Sequence, residues 1–212
     1  MNNSGFFVSV EGLDGSGKTT QVELLAEAMR RDGRTVKVVH DPGSTALGER
    51  VREILLDPGT GRPIAHWAET CLFLAARIQL ATEVILPALE AGQMVLSDRY
   101  LDSTLAYQGA RGIPWGQLLE LHRLCGLGRL PDLTIYLDIP ADRAHERRMS
   151  TTPDRLEAEA IPYHESVRSG YLELARRFPE RVTLIPADRP AEELAREFRD
   201  LVRERLAVGR AI

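Results

Sequence analysis

Apolar positions along the chain fall into short unbroken runs and longer segments in which they recur every three or four residues. Unbroken runs of β-branched and aliphatic residues are typical of buried strands, and the longer spacing is typical of amphipathic helices. The runs occupy residues 6–10, 35–39, 94–97, 133–138 and 182–185. Because strands and helices alternate from the start of the chain, the pattern predicts an α/β fold with a parallel sheet and right-handed crossovers.

Helical spacing predicts a first helix after Lys18 and further helices over residues 47–56, 65–90, 118–127, 141–149, 163–178 and 191–206. Pro87 lies within the longest of these segments and is expected to kink or end it. Residues 57–63 are expected to form a surface loop, and residues 107–112 a loop or short helix. At 212 residues the chain is about the size of one domain, so we expect a single domain over residues 1–212.

The composition is that of an ordinary folded protein. Hydrophobic residues make up 43% of the chain and charged residues 27%, with a formal net charge of −4. This charge gives no general attraction to nucleic acid. The first residues contain no basic segment, and no apolar run there is long enough for a signal peptide or a membrane span. We therefore expect a cytoplasmic protein without a nucleic-acid or membrane partner.

Cysteine and histidine give no indication of a metal site. Cys71 and Cys125 lie far apart in apolar helical segments and lack paired ligand spacing, so both are expected to be buried thiols. The five histidines also lack zinc-like spacing. Four of them, including His122, are interpreted as surface or packing residues, and only His40 stands at a position of chemical interest.

The clearest chemical motif lies between the first strand and the first helix. It reads Gly12, Leu13, Asp14, Gly15, Ser16, Gly17, Lys18 and Thr19, and it matches the phosphate-binding pattern G-x-x-x-x-G-K-[ST]. Glycine lets backbone N–H groups converge on phosphate oxygens, and the helix N-terminus attracts anions. We therefore expect this loop to bind nucleotide phosphates, with Lys18 on the outer phosphates and the Thr19 hydroxyl on Mg²⁺. The alternative is a glycine-rich turn with an incidental lysine.

An acid and a cation follow the third predicted strand. Asp98 and Arg99 stand at its carboxyl end, the edge at which ligands bind in open α/β sheets. The carboxylate can hold Mg²⁺ through water, and the guanidinium can bind an acceptor phosphate through two hydrogen bonds. A purely structural ion pair is the alternative interpretation.

A cluster of arginines predicts a mobile lid at about residues 143–160. Arg143, Arg147, Arg148 and Arg155 surround a segment rich in Ser, Thr and Pro. Mobile cations of this kind can stabilise the charge that develops during phosphoryl transfer. A solvated basic helix face with surface ion pairs would give the same charge pattern. The chain lacks the N-K-x-D motif with which GTPases read guanine.

Several motifs in this order resemble thymidylate kinase, a family of nucleoside monophosphate kinases. They are residues 11–20 around the phosphate loop, Phe-Leu-Ala-Ala-Arg at 73–77, the segment 98–109 that begins Asp-Arg-Tyr, and Asp-Arg-Leu-Glu at 154–157. The resemblance extends from about residue 6 to the final helix. It implies a doubly wound five-stranded parallel sheet in the order 2-3-1-4-5, flanked by helices. It also implies the reaction ATP + dTMP → ADP + dTDP with Mg²⁺, and a homodimer packed through helices.

The resemblance implies roles for residues at the acceptor site. Asp14 would accept a hydrogen bond from the 3′-hydroxyl of dTMP, and Phe73 would stack on the thymine ring. Arg77 would donate to a thymine carbonyl or to the acceptor phosphate, and Arg99 would hold that phosphate. Tyr107 would fill the space of a ribose 2′-hydroxyl. The base and sugar would further contact Ser103, Thr104 and Gln108. For Phe73, a plain core position is the alternative.

The resemblance also implies the source of the catalytic cation. The phosphate loop has Gly15 and Ser16 where some family members carry a basic residue. This looks like the bacterial arrangement, in which the lid supplies the cation. Arg155 is the first candidate for that role and Arg148 the second. The other expected catalytic residues are Lys18, Asp98 and Arg99.

One position departs from the family pattern. Bacterial members usually read Arg-Glu-Pro-Gly-Gly-Thr after the second strand, whereas residues 40–45 read His-Asp-Pro-Gly-Ser-Thr. Histidine is shorter than arginine and cannot bind a phosphate through two hydrogen bonds. Either Arg77 and Arg99 suffice for the acceptor phosphate, or His40 alters acceptor affinity or selectivity. Two other functions stay open: a kinase of this fold with another nucleoside monophosphate as acceptor, and a nucleotide-binding paralogue without transfer activity.

Overall fold

A computed structural model describes residues 5–57, 63–148 and 153–208 of the chain. The strands in these residues are β1 (Phe6–Gly12), β2 (Val36–His40), β3 (Met94–Asp98), β4 (Leu133–Asp138) and β5 (Val182–Pro186). They form one parallel sheet in the order β2-β3-β1-β4-β5. The predicted α/β class, strand positions and strand order are confirmed.

Helices flank this sheet. Those in the described residues are α1 (Lys18–Arg31), α2 (Ala46–Leu56), α3 (His66–Leu80), α4 (Leu86–Glu90), α5 (Leu101–Ala110), α6 (Trp115–Leu124), α7 (Ala141–Arg148), α8 (Ile161–Arg177) and α9 (Ala191–Val208). α1 packs with α9, and α5 packs with α8, against the central strands. Phe7, Val8 and Val10 of β1 are fully buried as a result. Burial on both faces explains why this strand is an unbroken apolar run.

One predicted helix differs from the structure in its bounds, and the segment predicted as a loop or short helix is mostly helical. α6 begins at Trp115, directly after Pro114, and ends just before Gly126, which has a φ of 75°. Proline is favoured at a helix start and left-handed glycine at a helix end, so these two residues define α6 better than its apolar spacing. Most of segment 107–112 belongs to α5. The predicted loop at 57–63 and the predicted lid at about 143–160 both include residues outside the described part of the chain.

α3 and α4 are continuous through a π-helical turn, Ala81–Ile85. Pro87 lacks the backbone N–H that an α-helix would use at its position, and the wider turn before it accommodates the missing hydrogen bond. By length and a mean hydropathy of 1.6, the helix His66–Glu90 could cross a membrane. It nevertheless carries buried Glu69 and Arg77, which bind side chains of other elements. We therefore interpret this helix as a core element of the fold.

An apolar groove lies between α3 and α6. Trp67, Leu121 and Leu124 line it, and Trp67 and Leu124 are 46% and 68% exposed. Cys71, one helical turn after Trp67, is exposed as well, and Cys125 is half-buried. The prediction of two buried thiols was wrong, because helical spacing identifies an apolar face without identifying what covers it.

Candidate functional site

The phosphate-binding motif forms the turn between β1, which ends at Gly12, and α1, which begins at Lys18. Gly15 has a φ of 89°, and a Cβ there would lie 2.4 Å from the carbonyl oxygen of Ala144. Both the conformation and the space therefore exclude a side chain at this point. Arg148 approaches the same glycine, with its Cγ 3.1 Å from that Cβ position. The loop is thus in contact with α7, the helix that leads into the predicted lid.

Asp14 connects the phosphate loop to Arg99. Lys18 Nζ donates to Leu13 O at 3.0 Å and to Asp14 Oδ1 at 3.3 Å. Arg99 Nη2 donates to the same Oδ1 at 2.6 Å. Burial alone would raise the pKa of Asp14, but Arg99 and Lys18 hold it well below its usual value. Burial and the nearby Arg99 lower the pKa of Lys18. One carboxylate therefore joins a cation of the loop to a cation at the end of β3.

Thr19 and Asp98 form an oxygen pair compatible with magnesium. Thr19 Oγ1 donates to Asp98 Oδ2 at 2.6 Å, and both residues line a cleft with Lys18. Mg²⁺ takes oxygen ligands and keeps waters and substrate phosphates around it, so one or two protein oxygens suffice. The described residues contain no cluster of three or more His, Cys, Asp or Glu that could hold a metal ion. This donor set fits Mg²⁺ bound together with a nucleotide.

The backbone of Arg99 is left-handed, with a φ of 71°. This conformation costs a non-glycine residue roughly 1–3 kcal/mol and must be fixed by its surroundings. Arg99 N donates to Val10 O at 3.0 Å, and Ser97 Oγ donates to Arg99 O at 2.5 Å. The next N–H, that of Tyr100, donates to Glu11 Oε1 at 2.7 Å. These three bonds fix the turn that directs the arginine side chain toward the phosphate loop.

Glu11 also orders the side chains around the guanidinium of Arg99. Its Oε2 accepts from Ser103 Oγ at 2.5 Å and from Tyr171 OH at 3.1 Å. The same two hydroxyls accept from Arg99 Nη1 at 3.1 and 3.2 Å. Burial, followed by repulsion from Asp102, raises the pKa of Glu11 to about 7. Glu11 opens the motif at residues 11–20, but no role was predicted for it, because its sequence signal is only an acid at the end of an apolar strand.

The predicted acceptor residues lie together around one cavity beside the loop. Its lining includes Asp14, Phe73, Arg77, Arg99, Ser103, Thr104, Tyr107 and Gln108. The cleft of Lys18, Thr19 and Asp98 adjoins this cavity and shares Asp14 and Arg99 with it. Arg52 of α2 also lines both spaces, and its Nη1 donates to Pro42 O at 3.0 Å. Sequence analysis missed Arg52, which nothing distinguishes from other helix arginines. The two spaces can hold two ligands that meet at the shared residues.

Arg77 is 1% exposed and is held on three sides. Its Nε donates to Asp41, which is also buried, so the two charges compensate each other away from water. Its Nη1 donates to Thr104 Oγ1 at 2.7 Å and lies 2.7 Å from His122 Nε2. Thr104 was predicted as a site residue, whereas Asp41 and His122 were missed. They come from the loop after β2 and from α6, and no sequence spacing relates them to Arg77.

Arg155 attaches the segment after α7 to α2 and α3. Its Nε donates to Leu55 O at 2.8 Å, and its Nη2 donates to Glu69 Oε2 at 2.6 Å. The other oxygen of Glu69 accepts from Gln108 Nε2 at 3.1 Å. Arg155 therefore stands on the side of the acceptor cavity. The Cγ of Arg148 lies beside Gly15 of the phosphate loop, and its Nη1 donates to Glu157 O at 3.5 Å. The sequence prediction ranked Arg155 first as the lid cation and Arg148 second, and this ranking stays a prediction.

His40 interacts with Ser44 of the loop after β2 and with Glu49 in the first turn of α2. Its Nε2 lies 2.9 Å from Glu49 Oε1, and its Nδ1 lies 3.1 Å from Ser44 Oγ. Ser44 has a φ of 60°, and its N–H donates to Glu49 Oε1 at 2.7 Å. The ring lines the cleft next to Lys18. His40 thus stabilises the loop after β2, and the α2 cation beside the acceptor cavity is Arg52.

Known proteins resemble this chain over most of its length. The family described as thymidylate kinase matches residues 10–198. A thymidylate kinase from Caldanaerobacter subterraneus subsp. tengcongensis is 46% identical over 182 residues, which cover 85% of this chain and 86% of the relative. One from Pelotomaculum thermopropionicum is 47% identical over 193 residues, covering 90% and 88% of the two chains. One from Deinococcus radiodurans is 43% identical over 205 residues, covering 96% and 98%.

Proposed function

Since the chain belongs to the thymidylate kinase family, we propose that it transfers the γ-phosphoryl group of ATP to dTMP, forming ADP and dTDP. The observation that carries this proposal is the double ion pair of Asp14, which links Lys18 of the phosphate loop to Arg99 of the acceptor cavity. Two nucleotides bound on either side of one carboxylate lie within reach of direct transfer. The ATP phosphates would bind the loop from Gly12 to Thr19.

The transfer depends on position and charge rather than on a covalent intermediate. A phosphate oxygen of dTMP attacks the γ-phosphorus of ATP, and the bond from that phosphorus to the ADP oxygen breaks. Arg99 holds the attacking phosphate, and Lys18 balances charge on the outer phosphates of ATP. The sequence prediction ranked Arg155 first as the lid cation; because α7 touches the phosphate loop at Gly15, we place Arg148 first, with Arg155 as the alternative. Closure of the lid at about residues 143–160 would exclude water that otherwise hydrolyses ATP.

Thr19 and Asp98 would hold Mg²⁺, Thr19 directly and Asp98 through water. Their mutual hydrogen bond of 2.6 Å supports this assignment, because it brings both oxygens to the start of α1. When bound, the metal supplies positive charge to the oxygens of the transferred phosphate. The protein's own part is to keep these ligands beside Lys18, where the outer phosphates lie.

The acceptor cavity fits a deoxynucleotide whose base carries a carbonyl. Phe73 offers a face for stacking, and Arg77 offers N–H donors to a carbonyl oxygen. Gln108 uses its amide nitrogen for Glu69, so its amide oxygen can accept from the N3–H of thymine. Tyr107 would fill the space of a ribose 2′-hydroxyl. Further contacts would come from Asp14, Ser103 and Thr104.

We also propose a homodimer in the cytoplasm, with each chain a single domain. The apolar groove between α3 and α6, where Trp67 and Leu124 are exposed, supports packing of two copies through helices. Light scattering should give twice the mass of one chain, and Leu124→Glu should shift it toward the monomer. An unchanged mass in the variant would remove this groove as the interface. We propose no nucleic-acid or membrane partner.

The function is tested by ADP formation from Mg-ATP in a coupled assay, with dTMP, dUMP, dCMP, UMP and AMP each offered as acceptor. We expect a clear preference for dTMP. Lys18→Met is the control for contaminating kinases and should remove ADP formation with every acceptor. Preference for another acceptor would make the protein a kinase of the same fold with a different substrate. ATP binding without ADP formation for any acceptor would favour a non-catalytic nucleotide-binding protein.

A further inference from the structure

The hydrogen bonds of Arg77 determine which part of its guanidinium remains for a ligand. A guanidinium has five N–H groups: one on Nε and two on each Nη. The Nε group is used by Asp41, and the two Nη1 groups are directed to Thr104 Oγ1 and His122 Nε2, each at 2.7 Å. Arg77 also lines the acceptor cavity. The Nη2 groups are therefore the donors that a base in the cavity can use.

The surroundings of His122 define one tautomer of its ring. Nδ1 lies 2.8 Å from Leu118 O, and a carbonyl oxygen can only accept, so Nδ1 carries the hydrogen. Nε2 faces an N–H of Arg77, so Nε2 is the bare acceptor. The ring is 2% exposed. Burial and the positive charge of Arg77 lower the pKa of His122 to about 4. The imidazole is therefore neutral at physiological pH, as an acceptor must be.

We propose that His122 is a positioning residue for base selection. As a neutral acceptor it holds the Nη1 side of Arg77, so that the Nη2 side faces the acceptor base. This inference rests on the proposed function, because the base belongs to the nucleoside monophosphate. Thymine and uracil present a carbonyl oxygen at C4, which accepts from Nη2. Cytosine presents an amino group there, so two donors would face each other in the cavity.

His122 differs in this respect from the other partners of Arg77. Asp41 supplies charge, and the Thr104 hydroxyl can rotate to serve a shifted guanidinium. The imidazole is rigid, and α6 fixes its position through the carbonyl of Leu118. It is therefore the partner that determines the rotation of the guanidinium about its long axis.

Two substitutions separate positioning from packing. In His122→Gln the side-chain amide can place its oxygen near the position of Nε2 and still accept from Arg77, whereas His122→Leu fills similar space without an acceptor. Val202→Ala is the matched control, because it alters a fully buried residue of α9, a helix that packs with α1 and not with α6. Thermal unfolding is measured for all three variants, so that any loss of stability is known separately.

The expected result is a change in selectivity in one variant alone. His122→Leu should raise KM for dTMP about tenfold and narrow the preference for dTMP over dCMP by a similar factor, as expected for a misplaced hydrogen bond to a charged group. KM for ATP should not change. His122→Gln should recover most of the selectivity, and Val202→Ala should keep all of it. Equal selectivity in the Leu and Gln variants would overturn the proposal.

The state of the ring is measured separately by the ¹⁵N chemical shifts of the His122 imidazole, assigned by their absence in His122→Gln. A neutral ring protonated on Nδ1, with no titration above about pH 5, is expected from the burial and the facing arginine. A ring protonated on Nε2, or one that titrates near an ordinary histidine pKa, would overturn the proposal. This measurement needs no turnover. Failure of the proposed function would instead appear as wild-type protein inactive with dTMP.

Discussion

Replacing Glu11 by glutamine removes a buried charge beneath the acceptor cavity and keeps the shape of the side chain. Glu11 is fully buried and accepts hydrogen bonds from Ser9 Oγ, Tyr100 N, Ser103 Oγ and Tyr171 OH. In the variant, the amide oxygen can still accept from Tyr100 N. The amide nitrogen can donate to the two hydroxyls of Ser103 and Tyr171, because a hydroxyl can accept as well as donate. One of the two hydroxyl hydrogens can then donate to the other hydroxyl, and the second loses its acceptor. This cost is the same at every pH, so the pH dependence of stability still tests the charge.

The size of the effect follows from the pKa of Glu11. Burial, followed by repulsion from Asp102, raises it from 4.5 to about 7 in the folded protein. A difference of this size between the unfolded and folded states corresponds to roughly 3 kcal/mol. Because the folded pKa is the higher one, the folded state binds the proton more tightly. The resulting stabilisation is fully present below pH 4.5 and is lost as the pH rises through about 7.

Urea unfolding of wild type and Glu11→Gln at several pH values measures this contribution. The variant carries no titrating group at this position. Between about pH 5 and pH 8, its free energy of unfolding should therefore rise relative to that of wild type by roughly 2–3 kcal/mol. Glu204→Gln, at an exposed position, is the control, and its free energy of unfolding should change with pH as that of wild type does. Parallel profiles for wild type and Glu11→Gln would refute the reasoning.

Three further predictions concern the phosphate site and the loop after β2. Arg148→Met should lower kcat with dTMP about 100-fold, because it removes the proposed lid cation from α7, the helix beside Gly15, whereas Arg155→Met should mainly raise KM for dTMP; equal effects on kcat would contradict this division. Gly15→Ala should abolish ATP binding in calorimetry, because its Cβ would lie 2.4 Å from Ala144 O; retained binding would mean that the loop can shift. His40→Arg should leave KM for dTMP within about twofold, since His40 interacts with its own loop; a large fall in KM would assign the position to acceptor binding.

The sheet and the phosphate loop could be predicted because their signals are local. β1 is buried along nearly its whole length, so its apolar run is continuous. The spacing of the glycines indicates where the backbone must adopt a positive φ, as at Gly15. The segments 73–77 and 98–109 supply half of the residues that line the acceptor cavity, and each is continuous in sequence. Their resemblance to a known family was therefore enough to identify the cavity residues that these segments contain.

The residues that hold the cavity in shape could not be predicted in the same way. Asp41, Glu69 and His122 bind Arg77 or Gln108 from three different elements of the fold. Their residue types are common on protein surfaces, and burial in this fold is what makes them partners of site residues. Such pairings depend on how the helices pack, which neither periodicity nor motif spacing contains.

The charge of Asp14 is divided between Lys18 and Arg99. A phosphate that attracts Lys18 leaves more of this charge to Arg99, and a phosphate that attracts Arg99 leaves more of it to Lys18. Each nucleotide therefore alters the electrostatic field that the other meets. By thermodynamic linkage, the factor by which ATP changes the affinity for dTMP equals the factor by which dTMP changes the affinity for ATP. A carboxylate shared by two cations thereby couples the two phosphate sites, with the same coupling in either order of addition.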